Sequence, residues 1–208
     1  MHIDYTLYLV TDRGILKGRD LFKAVEEAVK GGVTLVQLRE KEISSLEFYN
    51  IAVKMKKITG FYNIPLIIND RLDIALAADA DGLHIGQDDL PIEVARKLLG
   101  NGKILGYSVC SVEQALRGEK CGADYLGAGT VYPTGSKSDA GNPIGVGGLK
   151  RIKESVSIPV VGIGGIGISN IAEVKASGVD GISLISAILG SGDIEGTSRT
   201  LAAIWRQK

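Results

Sequence analysis

Short β-branched runs alternate with helical patterns along the whole chain, and this alternation constrains the fold more than any other feature. The runs that read as strands are Leu7–Val10, Thr34–Arg39, Leu66–Asn69, Gly82–Ile85, Ile104–Tyr107, Tyr125–Ala128, Val160–Ile163 and Gly181–Ile185. Between them apolar residues recur three or four apart, most clearly over Asp20–Lys30, Ser45–Thr59, Pro91–Leu99, Ser111–Lys120 and Ser169–Ala176. Several of these stretches open on Asp, Ser or Pro at a cap position, and Gly31-Gly32, Gly122 and Gly178 close others. Eight strands in 208 residues leave about 26 per unit, close to the minimum for a βα repeat. The expected architecture is α/β, a single-domain (β/α)8 TIM barrel over residues 1–208. An open doubly wound sheet stays as the alternative, because one or two miscounted strands would change the answer.

Composition narrows the class further. The 24 basic and 24 acidic side chains cancel, which argues against nucleic acid or an anionic membrane as the main partner. No run approaches the ~18 apolar residues that a membrane helix needs. The opening Met-His-Ile-Asp-Tyr lacks the basic and apolar regions of a signal peptide, so a cytoplasmic location is expected. Two cysteines, Cys110 and Cys121, show no zinc spacing and read as core thiols. Glycine, 28 of 208 residues, is about twice its usual ~7% share, and without a collagen period the excess must serve turns and close backbone approach.

Parallel barrel strands should be apolar on both faces, so polar residues at their C-terminal ends carry information. They recur strand after strand: Gln37-Leu38-Arg39-Glu40-Lys41, Asn69-Asp70, Gly86-Gln87-Asp88-Asp89, Ser108, Thr134-Gly135-Ser136-Lys137, Gly164-Gly165 and Ser186. Period two sets Gln37, Arg39 and Lys41 on one face and Val36 and Leu38 on the other. Each alone has a bland explanation, as a solvated pair (Arg39, Glu40) or a helix cap (Asp70, Asp88, Asp89). Seven such coincidences on one rim mark a site.

The charges indicate its content. Arg39, Lys41 and Lys137 are positive and Asp70 and Asp89 negative, and carboxylates beside an anion repel it unless a cation bridges them. Mg²⁺ does so, taking one or two carboxylates plus phosphate oxygens. With the metal, three positive charges are left over, matching a diphosphate. Gly162-Ile163-Gly164-Gly165-Ile166-Gly167 has the form GxGxxG, but no acidic residue ends the next strand to hold a ribose. A phosphate pocket on the loops after strands seven and eight fits better, with tight packing as the alternative. Gly106-Tyr107-Ser108-Val109-Cys110 misses the GxSxG elbow at its fifth residue, and His84 within an apolar strand reads as a packed residue with a hydrogen-bond partner. The lack of an enzyme nucleophile points to a reaction with an activated leaving group and a held acceptor, not a covalent intermediate.

Together with Leu7-Tyr8-Leu9-Val10-Thr11-Asp12, Ile68-Asn69-Asp70-Arg71, Asp81–Asp89, Pro133–Ala140 and Ile185-Ser186-Ala187-Ile188, these runs resemble thiamine-phosphate synthase over nearly the whole chain. The resemblance implies a (β/α)8 barrel that uses Mg²⁺ to join an aminopyrimidine methyl diphosphate to a thiazole phosphate, releasing diphosphate. It assigns Gln37, Leu38, Arg39, Glu40, Lys41, Asn69, Ser108 and Lys137 to the pyrimidine diphosphate, with Arg39, Lys41, Ser108 and Lys137 catalytic. Asp70 and Asp89 would hold the metal, and Thr134, Gly135, Ser136, Gly165, Ile185 and Ser186 the thiazole phosphate. The partners implied are these small molecules, and the family makes a dimer plausible.

The implied chemistry breaks the CH₂–O bond first, with Mg²⁺, Arg39, Lys41 and Lys137 stabilising the departing diphosphate. The thiazole nitrogen then captures the cation by proximity. Residues Gly129–Pro143, rich in Gly, Ser and Pro, are expected to form a mobile lid carrying Lys137. Two departures stand out. Thr134-Gly135-Ser136-Lys137 replaces the family's usual Thr-x-Thr-Lys, keeping the hydroxyl, and Thr130 replaces a proline. A related thiazole tautomerase carries a catalytic histidine at that position, which this chain lacks. A silent thiazole-phosphate binder would have no use for Asp70, Asp89 and Lys137, and a sugar-phosphate isomerase would need an acid–base pair that the barrel positions do not offer.

Overall fold

The computed structural model describes residues 3–135 and 142–207. Strand β1 (Leu7–Val10) leads into α1 (Arg13–Leu16) and α2 (Leu21–Lys30), and β2 (Leu35–Leu38) into α3 (Ser45–Phe61). Then β3 (Leu66–Asn69) is followed by α4 (Leu72–Ala77), β4 (Gly82–Ile85) by α5 (Ile92–Leu99), and β5 (Ile104–Val109) by α6 (Val112–Lys120). The chain continues through β6 (Tyr125–Gly129), α7 (Gly145–Ser155), β7 (Val160–Ile163), α8 (Ile171–Ala176) and β8 (Gly181–Leu184), and ends with α9 (Ser186–Leu189) and α10 (Ile194–Arg206). The strands pair in sequence order, all parallel, and β8 returns to β1 through Leu7↔Ile182 and Leu9↔Leu184. The closed barrel removes the open-sheet alternative and leaves no free sheet edge.

Local chemistry explains why these segments start where they do. Asp20, Ser44 and Ser111 each accept a hydrogen bond from the backbone N–H three residues on, capping α2, α3 and α6. Buried Leu21, Ala24, Val25 and Ala28 give α2 one apolar stripe, which packs against α3 and α10. Among the described residues no helix is long and apolar enough to cross a membrane.

Closure depends on residues without side chains. A Cβ at Gly181 would stand 1.7 Å from the Tyr5 carbonyl oxygen, where β8 meets β1. A Cβ at Gly106 would lie 2.2 Å from Tyr125 Cζ and 2.4 Å from His84 Nδ1, so glycine there makes room for a tyrosine and a histidine inside the barrel. The glycine excess is therefore partly a packing requirement.

Two expectations need correction. The barrel interior is not uniformly apolar: Tyr8, Gln37, His84, Tyr125 and Ser183 are buried within it. Nor are both cysteines core thiols. Cys110 is exposed, because β5 runs on to Val109 and delivers it to the rim, while Cys121 caps α6 and is only partly buried.

Candidate active site

A cavity of about 360 Å³ opens at the C-terminal ends of the strands, the end of a barrel where loops can vary without disturbing the core. One wall carries Arg39, Lys41, Asn69, Asp70, Asp89 and Ser108; the opposite wall carries Thr130, Thr134, Gly164, Gly165, Ile185 and Ser186. Two glycines and three hydroxyl side chains facing a charged wall give the cavity a polar, asymmetric lining.

The charged wall is built from loops after β2, β3 and β4. The Arg39 guanidinium is mostly buried and reaches Asp12 only at 3.4 Å, and its Nε has no hydrogen-bond partner among the described residues. A buried donor left unpaired costs about 1–3 kcal/mol. Lys41 Nζ donates to Asp70 Oδ2 at 2.6 Å. Asp70 has a left-handed backbone (φ 61°), a conformation Asp and Asn tolerate better than other side chains, and this turns its carboxylate to the cavity. Asp89 accepts the Gly86 N–H at 2.7 Å, which fixes its loop.

The two carboxyls lie against each other. Burial raises Asp89, the Gly86 hydrogen bond opposes this, and the neighbouring Asp70 carboxyl adds to the rise, so Asp89 sits above the usual carboxylate range. At Asp70 burial also pushes up, but the Lys41 ammonium and the contact with Asp89 outweigh it and hold that carboxyl down. A paired, partly buried carboxylate set of this kind suits a hard divalent cation, which relieves the repulsion and takes phosphate or water in its other positions. Two carboxylates are all the set supplies: among the described residues no group of three or more His, Cys, Asp or Glu side chains gathers.

Sequence-selected residues divide accordingly. Arg39, Lys41, Asn69, Asp70, Asp89, Ser108, Thr134, Gly165, Ile185 and Ser186 all line the cavity. Gln37 does not; it is buried below the floor and donates to Tyr8 Oη at 2.6 Å. Leu38 and Glu40 face away from the cavity, as period two dictates for neighbours of Arg39: Leu38 is fully buried and Glu40 accepts from Arg13 Nε at 3.0 Å. Gly135 stands off the lining, and Ser136 and Lys137 lie outside the described residues. The first part of the expected lid is anchored, since Val131 N–H donates to the Ile163 carbonyl, Tyr132 N–H to that of Gly164, and Tyr132 Oη to Glu173. Residues 136–141 of that segment lie outside the described residues.

Several lining residues went unselected. Gln87 sits in the rim run already noted and holds the end of β5, donating to the Ser108 carbonyl and accepting from Tyr107 Oη. Ser183 offers a buried hydroxyl without a partner among the described residues; its place in an apolar strand was the available signal. Asn142 carried no signal in sequence.

Comparison with known proteins gives one answer. The sequence model described as thiamine monophosphate synthase matches residues 7–188. The chain is 58% identical over 204 residues to a thiamine-phosphate synthase of Clostridium novyi, covering 98% of this chain and all of that one. It is 56% identical over 206 residues to one from Desulfitobacterium hafniense, covering 99% of this chain and all of the other. A solved thiamine phosphate pyrophosphorylase from Pyrococcus furiosus superposes with a TM-score of 0.90 at 44% identity, over 97% of this chain and 96% of that one. A 3-hexulose-6-phosphate synthase superposes at 0.73 with 17% identity over 96% and 99% of the two chains, a likeness of fold alone. A family match over residues 7–188 and relatives that span nearly the whole chain agree: the chain belongs to the thiamine monophosphate synthase family.

Proposed function

We propose that this chain is a transferase of thiamine biosynthesis, condensing an aminopyrimidine methyl diphosphate with a thiazole phosphate, or its 2-carboxy form with loss of CO₂. Thiamine monophosphate and diphosphate are the products. The observation that carries the reading is the single cavity with two dissimilar walls. A buried guanidinium whose Nε is unpaired among the described residues lines the cavity with Lys41, Asp70 and Asp89, opposite glycine backbone and hydroxyls from the loops after β6, β7 and β8.

Arg39 and Lys41 would grip the diphosphate and steady the charge that grows on it as the CH₂–O bond breaks, its electron pair leaving with the diphosphate. Lys137 would add a third cation. Mg²⁺, held by Asp70 and Asp89, would supply Lewis-acid neutralisation of the diphosphate oxygens. Thr134, Gly165 and Ser186 would hold the thiazole phosphate so that the ring nitrogen faces the pyrimidine methylene, and its lone pair forms the new C–N bond. Asn69 and Ser108 would orient the pyrimidine diphosphate. We further infer a single barrel domain over the whole chain, a cytoplasmic location and a homodimer.

A coupling assay tests the reading. Protein with both substrates and Mg²⁺ should give thiamine phosphate, detected after oxidation to a fluorescent product, and EDTA should abolish it. Absence of product while the thiazole phosphate still binds would favour a silent binder.

A further inference from the structure

Five side chains from five strands form one continuous hydrogen-bonded line through the barrel interior. Gln37 Nε2 donates to Tyr8 Oη at 2.6 Å, Tyr8 Oη meets Tyr125 Oη at 2.7 Å, and Tyr125 Oη meets His84 Nδ1 at 2.8 Å. His84 Nε2 then meets Ser108 Oγ at 2.8 Å, where the line enters the cavity. Four of the five are buried and Ser108 is half-buried; His84 and Ser108 both line the cavity.

With a neutral imidazole, such a line points one way or the other as a unit. A neutral imidazole has one N–H and one bare nitrogen, and each phenol has one proton, so fixing the first donor fixes all the others. Burial pushes the Tyr8 and Tyr125 phenols well above their ordinary value, so both keep their protons. The Gln37 amide donates at the far end. Tyr8 then donates to Tyr125, Tyr125 to His84 Nδ1, and His84 Nε2–H to Ser108 Oγ. The Ser108 proton is left to point at whatever the cavity holds.

We propose that Gln37, Tyr8, Tyr125 and His84 are positioning residues that set the Nε2–H tautomer of His84 and make Ser108 a hydrogen-bond donor to the ligand. Its catalytic consequence rests on the proposed function, because a donor suits the diphosphate or a pyrimidine ring nitrogen, whereas the tautomer itself does not.

The chain has two histidines, His2 and His84, so histidine-selective ¹⁵N labelling reads the tautomer directly, with a His2→Gln variant assigning the signals. Measured without substrates, wild-type His84 should show a protonated Nε2 and a bare Nδ1. Gln37→Glu replaces the first donor by an acceptor, so the line should reverse and move the proton to Nδ1. Tyr125→Phe should leave a mixture of tautomers and lower kcat about 10–100-fold, with KM for the thiazole phosphate unchanged. Restoring the donor to Ser108 by His84→Gln should recover part of the activity that His84→Ala loses. A wild-type Nδ1–H tautomer, or one unmoved in Gln37→Glu, overturns the proposal even if Tyr125→Phe fails to fold. Since the spectra need no turnover, a failed coupling assay is a separate result.

Discussion

Lys41 Nζ lies 2.6 Å from Asp70 Oδ2, pairing the loop after β2 with the loop after β3 at the mouth of the barrel. That ammonium occupies one oxygen of a carboxylate proposed above to hold a divalent cation. Replacing Lys41 by Gln removes a competing charge, and a half-exposed pair of this kind is worth about 0.2–1 kcal/mol. Titration calorimetry should show Mg²⁺ alone binding a few-fold more tightly to Lys41→Gln, while turnover falls because the diphosphate has lost a cation. Weaker metal binding in the variant would mean that Lys41 does not compete for that oxygen.

Asp70 combines a charge requirement with a backbone requirement, and two substitutions separate them. Asn tolerates the left-handed φ of 61°, whereas Ala there costs about 1–2 kcal/mol. Asp70→Asn should therefore melt close to wild type and Asp70→Ala clearly lower, yet both should lose Mg²⁺-dependent turnover. Equal melting temperatures would show that the backbone conformation is not what the carboxamide preserves.

How much of this could be read from sequence depended on how local the signal was. Helix caps are local, which is why Asp20 and Ser111 mark their helices correctly. Alternation along a strand is local too, and it separates Arg39 and Lys41 in the cavity from Leu38 and Glu40 outside it, a separation lost when the whole run is carried over by resemblance. The interior line was not legible, because Tyr8 and Tyr125 meet across 117 residues and period two gives a side chain's face but not its opposite number. Helix α7 was hidden by Gly145, Gly147 and Gly148, the last two costing about 1 kcal/mol each of helix propensity. Packing of buried Leu149 and Ile152 overrides that cost.

Gly106 should tolerate no side chain. The added methyl of Gly106→Ala would collide with both Tyr125 and His84, and overpacking a closed core costs typically about 1–3 kcal/mol. Thermal or urea unfolding should show a loss of that size or more. A stability within about 0.5 kcal/mol of wild type would mean the two rings can move apart freely.

Lys137 lies outside the described residues, so the expectation for it rests on charge and resemblance. Lys137→Ala should keep the wild-type circular dichroism spectrum and melting curve while turnover drops about 100-fold or more, the usual effect of removing a group that stabilises developing charge. Wild-type turnover in the variant would remove this lysine from the mechanism.

Glu40, on the far side of β2, gives the protein a pH signature unrelated to catalysis. Burial raises its carboxyl above the ordinary 4.5, and the Arg13 guanidinium only partly offsets this. In that window the folded chain holds more protons at this residue than the unfolded chain. Its contribution therefore disfavours the folded state increasingly as pH rises from about the ordinary value through the raised one. Glu40→Gln has no such proton to lose, and its amide oxygen can still accept from Arg13. The stability difference between variant and wild type, from urea unfolding at a series of pH values, should shift in the variant's favour across that interval and level off above it. A difference that stays flat, or moves in favour of wild type, would show that the Arg13 contact outweighs burial at Glu40.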